Sequence, residues 1–94
     1  MPGPVAERIR SKLAALQPTR LVIHDDSDRH VGHTGARAEG ESHFRVEIVS
    51  PAFVGESRIA RQRRVYALLA DELQTGLHAL QLATLTPEED RREE

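Results

Sequence analysis

The sequence predicts an α+β fold, with elements in the order α-β-β-α-β-α and helices packed on one face of a three-stranded mixed sheet. Two observations carry that prediction. Phe44, Val46 and Ile48 alternate with Arg45 and Glu47, the period of a half-buried strand. Apolar residues then recur at helical spacing from Ile59 to Leu73, before alternation resumes at Leu80 and Leu82. A strand, a long helix and a second strand make a parallel pair with a right-handed crossover, whereas the first two strands can pair antiparallel.

In chain order, Val5, Ile9, Leu13 and Leu16 form the apolar stripe of a helix from about Val5 to Leu16, ended by Gln17-Pro18. Leu21-Val22-Ile23 is a short β-type run closed by Asp25-Asp26-Ser27. Ser27 to Glu41 has no apolar period and holds Gly32, Gly35 and Gly40. A loop of that length inside a compact domain is functional or disordered more often than not. The strand His43–Val49 stops at Ser50-Pro51, since proline cannot donate to a central ladder. The long helix starts at Ser57 as N-cap and carries Ile59, Tyr66, Leu69 and Leu73 as its stripe, widened by Val65, Leu68 and Ala70. Gly76 reads as its left-handed C′ residue. A third strand runs from about His78 to Leu85. Thr86-Pro87-Glu88-Glu89 then forms a capping box with proline at the first position of a short terminal helix. One domain is expected over 1–94, ordered from about 5 to 89.

Composition narrows the chemistry. Hydrophobic residues at 38% and charged residues at 30% fit a globular domain, and a chain this short has room for a single two-layer core. No apolar run approaches the ~20 residues that cross a bilayer. The N-terminus lacks the basic-then-apolar pattern of a secretory signal, so a cytoplasmic location is expected. The chain has no cysteine, which excludes a thiol nucleophile and any self-contained thiolate metal site. The net charge of −2 and the three aromatics, Phe44, Phe53 and Tyr66, do not favour nucleic acid. Neither a phosphate-binding glycine loop nor a nucleophile elbow is present, and no enzyme is expected.

Two stretches carry the remaining chemistry. Gly76-Leu77-His78-Ala79-Leu80 sets a lone imidazole at the junction of the long helix and the last strand. Ser27–Glu41 holds His30 and His33. Spacing alone leaves His78 open between a ligand and a partner for the helix C-terminal carbonyls. It leaves the two loop histidines open between ligands and solvated side chains. His43 reads as structural or solvent-facing, and His24 has no site role. Arg58, Arg61, Arg63 and Arg64 crowd the start of the long helix while Asp71 and Glu72 lie towards its end, each against the macrodipole. That order reads either as a solvated face or as a basic patch for an anion, with Arg61 and Arg64 as the candidate pair.

The sequence resembles the BolA family over nearly its whole length. The matching residues are Asp25-Asp26-Ser27-Asp28-Arg29-His30, Glu41-Ser42-His43-Phe44-Arg45-Val46, Ser50 with Phe53 and Gly55, and Arg61-Gln62-Arg63-Arg64-Val65-Tyr66. Asp71-Glu72-Leu73, His78-Ala79-Leu80 and Thr86-Pro87-Glu88 complete the match. The resemblance implies a class II KH-like αββαβ fold and work with a monothiol glutaredoxin in iron–sulfur cluster trafficking. It implies a bridged [2Fe–2S] cluster, with thiolates from the glutaredoxin cysteine and glutathione, and with His78 and His30 as this chain's ligands. The family often has histidine where this chain has Gln62, and the loop is longer than in many members. His33 is therefore an alternate to His30. Some members are proposed DNA-binding transcriptional regulators. That gives the alternative reading, in which the KH-like surface and the arginine-rich helix start meet DNA. Against it, Gly55-Glu56-Ser57-Arg58 lacks the second glycine of a GxxG loop.

Overall fold

The computed structural model describes residues 3–25, 43–77 and 79–92. Helix α1 spans Pro4–Leu13, with proline at its start where a missing N–H costs nothing. The expected helix to Leu16 holds in outline, but its last turn, Ala14–Leu16, tightens to 3₁₀. It closes on Gln17, which is left-handed at φ 50°. Strands β1 (Arg20–Asp25), β2 (His43–Val49) and β3 (Ala79–Leu85) form one sheet in the order β1-β2-β3. The β1/β2 pair is antiparallel and the β2/β3 pair parallel, as the crossover argument requires.

Phe44, Val46 and Ile48 are buried on one face of β2, together with Ile9 and Leu13 of α1 and with Phe53, Val65 and Leu69 from the crossover. Arg45 and Glu47 lie half-exposed on the other face. Ser50 stops β2 and bridges layers. Its hydroxyl donates to the Leu16 carbonyl and accepts from the Ala52 N–H, which opens a single 3₁₀ turn at Pro51–Phe53.

The crossover departs from the expected single helix. Helix α2 (Arg58–Leu68) ends at Leu69, which leaves helical geometry at φ −100°, ψ 12°, and α3 (Ala70–Thr75) restarts beyond it. The break accounts for the acidic half of the inverted charge order, while Arg58 and Arg61 still stand in the first turn of α2. Asp71 and Glu72 fall in the first turn of a new helix, where negative charge is favoured.

The buried stripe of α2 also differs from the expected one. Arg61, Val65 and Leu69 face inward, while Ile59 and Tyr66 are 62% and 39% exposed. Gly76, expected to be left-handed, is not, at φ −179°. The end of α3 is closed instead by the Gly76 and Leu77 N–H groups, both of which donate to the Glu72 carbonyl at 3.2 and 3.0 Å. Two expected caps are present. The Ser57 hydroxyl accepts from the Ala60 N–H. Thr86 and Glu89 exchange backbone and side-chain hydrogen bonds at the start of α4 (Pro87–Arg92).

Glu72 ties the crossover to α1. Its carboxylate is 5% exposed and takes hydrogen bonds from Lys12 and Arg8. The Lys12 bond first, and the Arg8 bond second, hold its carboxyl below the ordinary 4.5. A group whose folded pKa is depressed contributes fully well above the unfolded value and less as pH falls through the folded one. Glu72→Ala should cost about 2 kcal/mol at neutral pH. The gap between its melting temperature and that of the unaltered chain should shrink as pH is lowered through the carboxylate range. Thermal melts over a pH series check both statements.

Candidate functional site

The described ends of both histidine-bearing stretches meet at one end of the sheet. Asp25, where β1 stops, pairs with Phe44, and His43, where β2 starts, pairs with Ala79, where β3 starts. Asp25, His43 and Ala79 therefore stand at the same end of the sheet, with β2 between β1 and β3. The chain flanking position 78 is firmly held. Leu77 is 4% exposed and its N–H donates to Glu72, whose side chain is in turn held by α1. The three histidines expected as metal ligands, His78, His30 and His33, lie outside the described residues. Among the described residues, no group of three or more histidines and acids is arranged to hold a metal.

The arginine-rich start of α2 divides into two kinds of arginine. Arg61 is 6% exposed and spends its donors inside the fold. Its Nη1 donates to the Thr84 carbonyl at 3.0 Å and to Glu89 Oε1 at 2.7 Å. Nη2 reaches Glu89 Oε2 at 3.3 Å, and Nε donates to the Glu56 carbonyl at 3.0 Å. The guanidinium also lies 5.9 Å from the centre of the Phe53 ring. Arg61 is thus committed to internal acceptors and does not stand on a shared anion-binding face with Arg64.

Arg64 is half-exposed and pairs with Glu56 at 2.7 Å. The hydrogen bond from Arg64 is the main reason the Glu56 carboxyl sits below its ordinary value. Arg58 and Arg63, by contrast, are exposed, and their side chains make no hydrogen bond or ion pair among the described residues. Helical spacing could have revealed the difference, because Arg61, Val65 and Leu69 stand four apart on the inward stripe.

The turn before α2 is built on Gly55. Its φ of +84° follows Val54 at φ −59°, ψ 128°, and Glu56 N–H closes back on the Phe53 carbonyl at 3.0 Å. That is a type II turn, which needs glycine at its third residue. It aims the Glu56 carbonyl at Arg61 and the Glu56 carboxylate at Arg64. An acidic side chain therefore stands in the loop that a phosphate-binding KH surface would use.

Comparison with known proteins agrees with this architecture. A family model described as BolA-like protein matches residues 13–89. The chain is 49% identical over 87 residues to "Protein BOLA1, chloroplastic" of Arabidopsis thaliana, covering 89% of this chain but only 54% of that relative's length. It is 46% identical over 86 residues to the "DNA-binding transcriptional regulator BolA" of Escherichia coli (strain K12), covering 90% of this chain and 78% of that one. Among solved structures, the BolA domain of SufE1 from Arabidopsis thaliana superposes with a TM-score of 0.82 at 46% identity. That match covers 95% of this chain and 99% of the other.

The Arg61 pair sets a stability test. The Arg61 hydrogen bond first, and the Thr86 N–H second, lower the Glu89 carboxyl to about 2. This contribution is full well above pH 4.5 and is lost as pH falls towards 2. Arg61→Ala leaves two carbonyls and a carboxylate without their donor and should destabilise the chain by about 3 kcal/mol. Arg61→Lys, which lacks the planar fork, should recover only part of that, while Arg64→Ala should leave the melt nearly unchanged. Melting curves of the three variants at neutral pH decide the point.

Proposed function

Because the chain belongs to the BolA family of non-enzymatic proteins, we propose that it is an adaptor that binds a monothiol glutaredoxin and shares a bridged [2Fe–2S] cluster with it, in iron–sulfur trafficking and iron regulation. In this reading His78 and His30, with His33 as alternate, offer neutral imidazole nitrogens. The partner cysteine and glutathione supply the thiolates that this chain lacks. The supporting observation is the register of His43 with Ala79 and of Phe44 with Asp25, which brings the flanks of both histidine-bearing stretches to one end of the sheet. The anchoring of Leu77 and Ala79 suits a ligand that must be held, since a donor on rigid elements costs less to order than one on a loop.

The cluster is cargo here, and the chain holds none alone. Its own residues would do three things: present the imidazoles, exclude competing ligands at the sheet end, and meet the partner's surface. Arg64, exposed beside Glu56, is the arginine of the expected pair that remains able to face an acidic partner. No helix among the described residues is long and apolar enough to cross a membrane. The proposed compartment is the cytoplasm, although the name of the plant relative puts that protein in the chloroplast.

The nucleic-acid reading has the name of the Escherichia coli relative in its favour. It comes second because Arg61 and Arg64 are engaged with Glu89 and Glu56. It would rest on Arg58 and Arg63, and a DNA-binding constant should then fall steeply with salt. The slope should drop by roughly 0.9 for each phosphate that Arg58→Glu or Arg63→Glu no longer neutralises. Gel shifts across a salt series measure that slope.

For the adaptor reading, mixing the chain with cluster-loaded glutaredoxin should change the visible circular dichroism. His78→Ala should abolish the change, and His30→Ala and His33→Ala should separate the loop candidates. Identical spectra for the unaltered chain and His78→Ala would sink the proposal.

A further inference from the structure

The sheet has two edges, and they are defended differently. Strand β1 carries Arg20, His24 and Asp25, charged or polar groups of the kind that keep an edge from pairing with other chains. Strand β3, Ala-Leu-Gln-Leu-Ala-Thr-Leu, has neither a charge nor a proline. Ala79, Gln81 and Ala83 are exposed, and among the described residues no strand lies on its outer side.

The direction of its backbone groups follows from two hydrogen bonds. The Leu85 carbonyl accepts from Ser50 N–H, so it points towards the β2 side. The Thr84 carbonyl points the other way and is taken by Arg61. Peptide groups alternate along a strand, so the N–H and C=O groups of Leu82 and Leu80 also point outward. Arg61 and α4 close the edge at Thr84, and the segment before it is open.

This open edge has a wall. A cavity of about 190 Å³ lies between β3 and α2, lined by Arg58, Gln62 and Glu47 and by Leu82, Ala83, Thr84 and Leu85, so it borders the open segment at Leu82 and runs on past the point that Arg61 closes. Arg58 and Gln62 are the α2 residues that line it, and Tyr66, Ile59 and Arg63 follow further round the helix. Ile59 and Tyr66 are the exposed large apolar residues of α2, and Arg58 and Arg63 are its unpaired cations. Glu47 on the floor is already paired with Arg20 at 3.3 Å.

We propose that the outer edge of β3 at Leu80 and Leu82, with Arg58 and Gln62 of α2 beside it at Leu82, takes an extended acidic segment of a partner protein as a fourth strand. Main-chain hydrogen bonds to Leu80 and Leu82 supply the register, and Arg58, the unpaired cation of the lining, selects for acidic side chains. A second copy of this chain suits the groove less well, because it would bring its own uncharged β3 and two further arginines to a wall already basic. A single-stranded nucleic acid could use the cations but not the strand edge, and Tyr66 alone is a poor stacking platform. Leu80 follows Ala79 directly, so the groove adjoins the sheet end of the adaptor site, and the two are told apart by the ligand that each takes.

The test uses the isotope-labelled full chain titrated to millimolar concentration with a peptide of about seven residues alternating glutamate and valine. Amide signals of Leu80, Leu82 and the α2 wall should shift. The same peptide N-methylated at alternate amides should bind at least about tenfold more weakly, as should the unmethylated peptide to Arg58→Glu/Arg63→Glu. His78→Ala should bind it unchanged, which separates this proposal from the adaptor reading. The proposal is overturned if Leu80 and Leu82 do not shift, or if binding survives N-methylation. It also fails if a single-stranded oligonucleotide shifts the same amides while the peptide does not, or if sedimentation shows β3 already buried in a dimer.

Discussion

The Arg61 guanidinium is the constraint on which the second half of this fold depends. A buried cation is tolerated only when its charge and its N–H groups are all met, and here the acceptors come from three separate places. The Glu56 carbonyl comes from the turn before α2, the Thr84 carbonyl from the outer side of β3, and the Glu89 carboxylate from α4. Each acceptor is aimed by a local rule. Gly55 supplies the positive φ that turns the Glu56 carbonyl inward, strand alternation turns the Thr84 carbonyl outward, and the capping box holds Glu89 against Thr86. Removing any one would leave part of the guanidinium unpaired, so the turn, the strand and the terminal helix are specified together.

Glu72 does the corresponding task at the other end of the crossover. Its burial needs α3 to be set off from α2 at Leu69, and the break in turn places Asp71 and Glu72 at a helix start, where their charge is favoured. The acids that look misplaced along one long helix stand at a helix start once it is split in two, whereas Arg58 and Arg61 remain in the first turn of α2. The same residue accepts the closing N–H groups of Gly76 and Leu77 on its carbonyl, so α1, through Arg8 and Lys12, steadies the backbone that leads into β3.

How much of this is legible in the sequence depends on the range of each interaction. Strand β2, the Ser57 and Thr86 caps and the antiparallel–parallel pairing follow from alternation, local hydrogen bonds and a crossover length, all written within a few residues. The spacing of Val65 and Leu69 marks the inward stripe of α2, but apolarity alone draws Ile59 and Tyr66 into it, whereas tertiary pairing buries Arg61 at its head. No local pattern announces that a carboxylate 28 positions away will neutralise it. The left-handed expectation for Gly76 has the same local origin, and the backbone of Glu72 closes the helix without it. Of the candidate site, the position of its flanks is readable through strand register. The histidines themselves rest on resemblance to a family, because a lone imidazole carries no period.

The two ends of β3 therefore differ in kind. At Ala79 the strand begins beside His43, at the sheet end where β1 stops at Asp25 and where the adaptor proposal sets its ligands. At Thr84 its outer carbonyl is consumed by Arg61, which ends any further pairing along that edge. Between them lie the outward peptide groups of Leu80 and Leu82 on a strand without charge or proline, beside a helix face that pairs exposed apolar residues with unpaired arginines. An edge of that composition is costly to leave open, since it pairs with any extended chain that reaches it. Arg61 thus has a second consequence beyond stability: by capping the edge at Thr84 it limits an incoming strand to the Leu80–Leu82 segment and fixes its register.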